Sequence, residues 1–575
     1  MRRYQLGAAK TAFEASLAAE PDQPLVYSAL AETWHGLESD QHEREAAQRA
    51  FELSASLPRE QRLSIEAAYR EAIKDWSGAA QIRLSLATFF PENLDYGLKL
   101  AEVQRRQGHT SDAYATFARL RRLAPPDGDD PRIDVAEANA RKRNDSKTAL
   151  AAAARGVDGA HRRGLRGVEA EAYRVECDTY ANTGRAAEAR VAGEQALRLF
   201  AAEGNRAGEA ETLTSMANIY IVTHQQAEAL KYENQALALF DSIGSRAGAV
   251  RVRALLALAH KRAGEVAVAE KMWRQVIDDS RELGEQSQMV NAMGDLASVY
   301  TDTGRYAEAM PMYRQVIETA HAAGYTNIEA NSSSNFSIVL TRRGELAEAR
   351  RFADLAVALW TKMEQRGDVV YGMDSVGQIA VRQGRLADAQ KVEEQALALR
   401  ESMGQSGGPS RQNLAELAVE QGDLPRAETL ARKAMQEFVK DKRPSQEANA
   451  LEVLTRILIE ERKTVEAAAA VARIDQIIGQ TQQAKAMFVG SHALVKAEQG
   501  DVPGALAMVR ATIADCDKDG DVDTAMDLRY VLAQVLVRHG PRDEARKAVA
   551  TVKREAAAHG YTQVVRDSVA LERSL

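Results

Sequence analysis

The sequence of 575 residues contains only two cysteines, Cys177 and Cys516, and only 5% of its residues are aromatic. Two cysteines so far apart exclude a disulfide framework and a CxxC metal site, so we expect a reducing, cytoplasmic location. No apolar run approaches the roughly 18 residues that a membrane-spanning helix needs, which argues against a membrane protein. The first 25 residues also lack the uninterrupted apolar stretch of a signal peptide.

Positive charge is not in excess either. The chain has 75 Lys and Arg residues against 82 Asp and Glu, a net charge of -7 at pH 7. A protein that binds a phosphate backbone concentrates basic residues on one face, whereas the charges here are spread along the whole chain. We therefore expect neither nucleic acid nor a membrane among the partners.

Residues of a catalytic or metal site are equally scarce. The segment Gly404–Gly408 matches the GxSxG pattern of hydrolases, but a helical pattern precedes it and no strand delivers the serine, so we predict a loop. The segment Asp515–Gly520 resembles half of a calcium loop. Met526 stands where the bidentate Glu belongs, so we predict a solvated turn between helices. The sequence predicts no enzymatic activity, no metal and no cofactor.

What the chain has in abundance is a repeat. A small residue is followed seven positions later by Gly and five positions after that by Ala, as in Ala297, Gly304 and Ala309. Ten copies have anchors spaced 38 or 40 residues apart, at positions 184, 224, 264, 304, 344, 384, 422, 462, 500 and 540, and only His224 and Arg462 replace the Gly. Helical spacing of apolar residues between anchors predicts two antiparallel helices per unit, with the Gly at the turn. These units must stack into a solenoid, because no hairpin buries its apolar face alone.

This frame resembles the tetratricopeptide repeat, which has a small residue in the first helix, Gly at the turn and Ala in the second helix. In the N-terminal quarter, Pro21, Pro58, Pro91 and Pro125 indicate the shorter form of that repeat. The resemblance implies an all-α fold, a right-handed superhelix of about fourteen helical hairpins. We expect short repeats over residues 1–130, long repeats over residues 131–560 and a capping helix over residues 561–575.

A narrower resemblance concerns Leu63–Ala101 and Gly128–Asp134. These segments are similar to the repeat region that follows the catalytic domain in some bacterial serine/threonine kinases, and similar regions follow winged-helix domains in bacterial regulators. This implies an alternative function, a signal-input module of a bacterial kinase or transcriptional-regulator system, although HRD and DFG motifs are absent. The frame also places Ala9 and Phe13 in a second helix without a complete first helix, which predicts an internal start at Met1 or a chain split from a longer protein.

Polar residues recur on the first helices, at positions that face the concave groove in tetratricopeptide repeats. Asparagine forms helices poorly, so a column of it favours a binding role, and its amide can bond a peptide backbone without reading side chains. We predict a non-enzymatic scaffold that binds a peptide or protein segment in the groove. The candidate residues are Asn218, Asn291, Asp295, Asn331, Asn335, Gln378 and Asn413.

Two local features leave alternatives open. Asn331–Asn335 places five weak helix formers in the middle of a predicted helix, which indicates either a recognition site or exposed positions whose helicity is imposed by stacking. Arg342, Arg343 and Arg382 lie near successive turns. They either add positive potential along one edge of the groove or are ordinary exposed turn residues.

Overall fold

The computed structural model is helical throughout. It describes residues 6–36, 40–142, 145–223, 225–479 and 488–575, which form thirty α-helices and one short 3-10 helix, Ser54–Ser56, with no strand among them. The predicted anchor His224 lies outside the described residues. So do residues 1–4, on which the prediction of an incomplete first repeat depends.

The chain divides into two compact units, and the first comprises Met1–Ala292. Its helices are α1 Leu6–Ala19, α2 Pro24–Gly36, α3 Asp40–Leu53, α4 Arg59–Ala72, α5 Trp76–Phe89, α6 Leu94–Arg106, α7 Thr110–Leu120, α8 Pro131–Arg141, α9 Ser146–Arg162, α10 Arg166–Asn182, α11 Ala186–Ala202, α12 Arg206–Val222, α13 Gln226–Ser242, α14 Arg246–Arg262 and α15 Val266–Leu283. Helices α1–α8 have 11 to 14 residues and α9–α15 have 17 or 18, so the hairpins lengthen after α8.

The second unit comprises Met293–Leu575, and the division falls within α16, Gln286–Asp302. Its further helices are α17 Tyr306–Ala323, α18 Thr326–Arg342, α19 Leu346–Lys362, α20 Arg366–Arg382, α21 Leu386–Ser402, α22 Gly408–Glu420, α23 Leu424–Lys440, α24 Pro444–Glu460, α25 Thr464–Ile478, α26 Val489–Glu498, α27 Val502–Asp519, α28 Val522–His539, α29 Arg542–His559 and α30 Thr562–Arg573. The boundary near residue 130 and a separate capping segment stay predictions.

Consecutive helices pair from α2 with α3 to α28 with α29, so the described residues contain fourteen hairpins, flanked by α1 and α30. The prediction of an all-α solenoid of about fourteen hairpins is confirmed. Small side chains make the close pairing possible. Ala217 and Ala229 face each other across one hairpin, Ala257 and Ala269 across the next, and all four are fully buried.

The turn inside each hairpin explains the repeated Gly. At Gly344 the backbone has φ +73°, and the N–H of Glu345 donates to the carbonyl of Leu340 at 2.8 Å, closing the last turn of α18. Glycine reaches this left-handed conformation without steric cost. Arg462 replaces Gly at the equivalent turn and still adopts φ +59°, so the hairpin tolerates a less favourable residue there.

The position four residues after the second-helix Ala is buried inside every long hairpin from α11 to α21, yet its residue changes. The series is Gly193, Glu233, Trp273, Tyr313, Ala353 and Glu393. At Gly193 a Cβ would lie 2.8 Å from Met216 and 3.2 Å from the Cys177 sulfur, so no larger residue fits. The first helix and the next hairpin thus determine how much space this position has.

Candidate functional site

Two of the predicted site residues bind each other. On α20, the exposed Gln378 donates from Nε2 to Oδ1 of Asn413 on α22, at 3.3 Å. Asn413 is only 8% exposed, and its Nδ2 donates to Oε1 of Glu393 at 3.0 Å. Asn413 therefore has a structural role, because it donates a hydrogen bond to a buried carboxyl group.

The Glu393 carboxyl group lies deep in the α20–α21 hairpin. It faces Gly377, where a Cβ would approach Oε1 to 2.2 Å, and its Oε2 has no hydrogen-bond partner. Burial, followed by the nearby Asp374 carboxylate, raises the pKa of Glu393 well above its usual range. Arg400 donates to both oxygens of Asp374, at 2.9 and 2.5 Å. The charge of Asp374 next to Glu393 is thus balanced by Arg400, and burial favours the neutral form of Glu393.

Two further candidates have intramolecular partners. Asn331, exposed on α18, accepts a hydrogen bond from the indole N–H of Trp360 at 3.3 Å. Asn218 on α12 donates to Asn182 at 3.1 Å. The structure therefore gives both amides a contact between helices. Peptide binding would have to compete with these contacts or use the remaining lone pairs and protons.

The other three candidates lie on α16 and α18. Asn291 is exposed and belongs to the first unit, whereas Asp295 is half-buried and belongs to the second. Asn335 is half-buried on α18. Binding by these residues stays a prediction.

The serines between Asn331 and Asn335 are not exposed. Ser332, Ser333 and Ser334 are at most 4% exposed, and the hydroxyl groups of Ser333 and Ser334 have no hydrogen-bond partner. A Cβ at Gly294 would lie 3.1 Å from the Ser332 hydroxyl oxygen, which shows how closely α16 and α18 approach. The interpretation of these positions as exposed polar residues is wrong for the serines, because small side chains are needed at this contact.

The second unit contains a partly open cavity of about 430 Å³, which we call the chamber. The first helices α18, α20, α22 and α24 form one wall, and α28 and α30 form the opposite wall. Among the predicted residues Gln378 lines the chamber. The ionisable side chains of its lining are Arg342, Arg382, Glu416, Glu420, Glu452, Arg456, Asp523, Asp527, Tyr530, Tyr561 and Asp567.

Carboxylates outnumber cations in the chamber, and their pKa values reflect this. Burial raises the pKa of Glu420 and of Glu452 to about 7, and that of Asp527 to about 6. The guanidinium group of Arg456 lies 3.9 Å from Glu420 and offsets part of the effect. The chamber therefore contains several carboxyl groups that titrate near neutral pH.

The turn arginines of α18 and α20 bind the chain's own C-terminal repeats. Arg342 donates to Asp521 at 2.8 Å, and Arg343 donates to the carbonyl of Gly520 at 3.0 Å. Arg382 donates to both oxygens of Asp523, at 2.5 and 2.7 Å. We call these three arginines with their acceptors the arginine clamp. The charges of Arg342 and Arg382 are balanced by ion pairs within the chain, whereas Arg343 binds an uncharged carbonyl group.

The last helix, α30, and the residue before it also contact earlier repeats of the second unit. Tyr561 is fully buried, and its hydroxyl donates to Oδ1 of Asp523 at 2.9 Å. Gln563 is also buried, and its amide donates to Glu420 on α22. Helix α30 therefore contacts the concave side of repeats that precede it by about 140 residues.

The two segments that resemble a hydrolase motif and a calcium loop can be compared with their predicted local structure. The prediction of a loop at Gly404–Gly408 is confirmed up to its last residue, since α21 ends at Ser402 and α22 begins at Gly408. The prediction of a turn over Asp515–Gly520 is wrong, because α27 continues to Asp519 and only Gly520 has left-handed geometry. Asp517 instead accepts hydrogen bonds from Arg529 at 2.7 Å.

The first unit has a larger concave opening of about 1260 Å³, which we call the N-terminal groove. The first helices of six successive hairpins, α2 to α12, contribute to its lining. Its apolar and aromatic residues include Phe13, Trp76, Leu98, Val103 and Phe200. A concave opening of this volume with an apolar and aromatic lining is typical of a site that binds a protein segment.

Charged residues of the N-terminal groove form local pairs. Arg83 is 1% exposed and donates from Nε to Glu71 at 2.6 Å, and its Nη1 has no partner. Arg106 donates to Glu102 at 2.8 Å and stacks over the Trp76 ring. The groove is therefore close to electrically balanced, with a buried guanidinium group beside its floor.

Among the residues that the structure describes, no three His, Cys, Asp or Glu side chains are grouped closely enough to hold a metal ion. Within the same residues no helix is both long and apolar enough to span a bilayer.

Comparison with known proteins agrees with this architecture. A tetratricopeptide repeat family model matches residues 250–320. No curated protein sequence matches the chain. Among solved structures, BtubC from P. vanneervenii is 16% identical, with 38% of this chain and 91% of BtubC covered and a TM-score of 0.34. The apo form of RapI is 10% identical, with 67% and 97% covered and a TM-score of 0.45. Both likenesses concern the stacking of helical hairpins and extend to no binding property.

The fourteen hairpins form an all-α solenoid, and residues 250–320 of it match the tetratricopeptide repeat family model. The column of polar residues lies in the long repeats, so the sequence did not predict the N-terminal groove. The short repeats keep the anchor less regularly: Gly108 has it, with φ +80°, whereas Lys74 replaces the Gly one repeat earlier. The arginine clamp was missed as well, although the acidic stretch Asp515–Asp523 was a signal for it.

Proposed function

We propose that the protein is a non-enzymatic interaction scaffold that binds a peptide or protein segment in the N-terminal groove. The observation that carries this proposal is the opening of about 1260 Å³, lined by first helices and rich in apolar and aromatic side chains. A bound helix or extended segment needs room of this order, whereas the chamber of the second unit has about a third of that volume. Repeat solenoids use extended concave surfaces for binding.

The polar column of the long repeats is proposed as a second contact surface for the same kind of partner. Its residues are Asn218, Asn291, Asp295, Asn331, Asn335, Gln378 and Asn413. Of these, Asn291 and Asn331 are the exposed asparagines, and the amide group of Asn331 already accepts a hydrogen bond from Trp360. Asn413 is the least suitable, because binding would deprive Glu393 of its donor.

The experiment places a photo-crosslinking amino acid at Leu98, which lines the N-terminal groove, and in a second variant at Leu84, which is exposed elsewhere on the same unit. Both variants are irradiated in cells, and captured proteins are identified by mass spectrometry. We expect a partner captured from position 98 and not from position 84. The purified partner should then lose at least tenfold in affinity with Leu98→Arg and keep its affinity with Leu84→Arg. Equal capture from both positions, or an unchanged affinity for Leu98→Arg, would refute groove binding.

The alternative proposal is a signal-input module of a bacterial kinase or transcriptional-regulator system. One observation favours it: α28 and α30 cover the chamber, so a molecule that enters the chamber must change their contacts with α18, α20 and α22. A panel of small molecules tested by thermal shift would examine it. A hit whose effect disappears with Gln378→Ala, a chamber residue, and not with Leu84→Ala would support this alternative.

A further inference from the structure

The contact between α30 and α22 has an unusual composition. One amide nitrogen, Nε2 of Gln563, donates to Glu420 on α22 and also to both oxygens of Asp567 on α30, each at 3.0 Å. Arg566 donates to the carbonyl oxygen of the same amide, which fixes its orientation. Gln563 is 3% exposed, whereas Glu420 and Asp567 are half-buried and line the chamber.

This geometry brings two carboxyl groups together. Because a single nitrogen bonds both, their oxygens are separated by no more than about 6 Å. Two half-buried carboxylates at such a distance repel each other, and one proton relieves the repulsion. Closure of α30 on α22 therefore depends on how many protons Glu420 and Asp567 hold.

We propose that α30 is a pH-sensitive latch on the chamber of the second unit. The latch is closed while the Glu420 and Asp567 pair holds a proton, and it loosens when both carboxyl groups are ionised. Loosening separates α30 from α22 and so widens the chamber, whose lining residue Gln378 is already exposed when the latch is closed. This inference does not depend on the N-terminal groove or on its partner.

The direction of the switch follows from the pKa values. Burial, and next the Asp567 carboxyl group, raises the pKa of Glu420 to about 7 from an ordinary 4.5, and burial also raises the pKa of Asp567. The closed state therefore binds more protons than an open state with ordinary pKa values. Its stability falls as the pH rises from about 4.5 to about 7 and is constant above that.

Other charged groups face this pair from each neighbouring helix. Arg456 on α24 lies 3.9 Å from Glu420 and lowers the pKa of both carboxyl groups, and Arg566 on α30 lowers that of Asp567 more strongly. The remaining groups are Glu460 on α24, Tyr530 on α28 and Glu416 on α22. Arg456 reduces the repulsion without removing it, since the pKa of Glu420 stays high.

The arginine clamp limits the movement to α30. Arg342 and Arg382 bind Asp521 and Asp523 through ion pairs that involve neither Glu420 nor Asp567. The start of α28 therefore stays on α18 and α20 at either pH. The expected change is a loosening of α30 relative to a fixed α28.

The experiment is hydrogen exchange with mass spectrometry on the full chain at pH 6 and pH 8, corrected for the intrinsic exchange rate. We expect protection of residues 562–573 to fall at least tenfold at pH 8, while that of α24 and of the start of α28 changes less than threefold. Asp567→Asn and, independently, Glu420→Gln should keep α30 equally protected at both pH values. The matched control is Glu452→Gln, a chamber carboxyl group that does not contact α30 and should retain the wild-type dependence.

Three results would overturn the proposal. Protection of α30 could be the same at pH 6 and pH 8 in the wild-type chain. The dependence could persist in both Asp567→Asn and Glu420→Gln, or disappear equally in Glu452→Gln. Finally, α24 could lose protection together with α30, which would indicate unfolding of the unit and not release of a latch. Circular dichroism of each variant checks that its helix content is unchanged.

Discussion

Glu233 on α13 is the most unfavourably placed carboxyl group of the first unit. Its side chain is fully buried, and neither oxygen has a hydrogen-bond partner. Burial raises the pKa of Glu233 from 4.5 to about 7, which is opposed only by the more distant Arg262. We predict that replacing it with an apolar residue of similar length, Glu233→Met, stabilises the first unit and that the gain depends on pH.

The magnitude follows from that shift. A change of about 2.5 pKa units at about 1.4 kcal/mol per unit corresponds to about 3 kcal/mol. The folded state holds the proton more tightly, so the wild-type chain loses this stability as the pH rises from about 4.5 to about 7. At pH 5 most of the penalty is absent, and Glu233→Met should gain about 1 to 2 kcal/mol from removing an unpaired polar group. At pH 8 the gain should be about 3 kcal/mol larger.

The assay is urea unfolding at pH 5 and pH 8, monitored by circular dichroism, for the wild-type chain and for Glu233→Met. Glu194→Met, an exposed position on α11, is the control for the added apolar side chain and should change the free energy of unfolding by less than about 0.5 kcal/mol. An equal gain for Glu233→Met at the two pH values would refute the reasoning. It would show that ionisation of Glu233 does not lower the free energy of unfolding.

Further predictions concern the second unit. Asn413→Ala should cost about 1 to 3 kcal/mol in urea unfolding, because Glu393 loses its only donor, and Asn413→Ala combined with Glu393→Met should recover most of the loss. Gly377→Ala should destabilise by more than about 2 kcal/mol, because its Cβ would lie 2.2 Å from Glu393, and Glu393→Ala in the same chain should relieve that clash in a double-mutant cycle. Arg382→Ala should increase hydrogen exchange at the start of α28 at least tenfold, because Asp523 keeps a buried charge without its bidentate partner, and Asp523→Asn added to Arg382→Ala should restore part of the protection.

The repeat frame predicted most of the fold because its information is local. A Gly anchor such as Gly344 needs left-handed backbone geometry wherever the hairpin lies in the solenoid, and the alanines around it need only the partner helix. The number of hairpins then follows from counting. Even Arg462, where the anchor is absent, was placed correctly by the spacing alone.

The contacts of the candidate site could not be predicted in the same way. Whether Arg382 meets Asp523, 141 residues later, depends on the summed rotation of all the hairpins between them, which no local pattern specifies. The exposure predicted for the serines of Asn331–Asn335 was wrong for a related reason. Helical register shows which way a side chain points from its own helix, but Ser333 is buried because a neighbouring helix comes close. The repeat pattern placed the asparagines on the first helices. It did not predict their hydrogen-bond partners, such as Trp360 for Asn331, because those partners are not part of the repeated frame.

The variable buried position within the long hairpins bears on how such a protein can evolve. Gly193 is required by Cys177 and Met216, while Glu393 occupies the space that Gly377 leaves. Each hairpin is therefore fitted to its own neighbours, although the frame around it is uniform. Duplication or exchange of a single repeat would place a large residue opposite a filled space or a small one opposite a void. New copies in this array must therefore be inherited as blocks of adjacent hairpins, or be followed by compensating changes at this position.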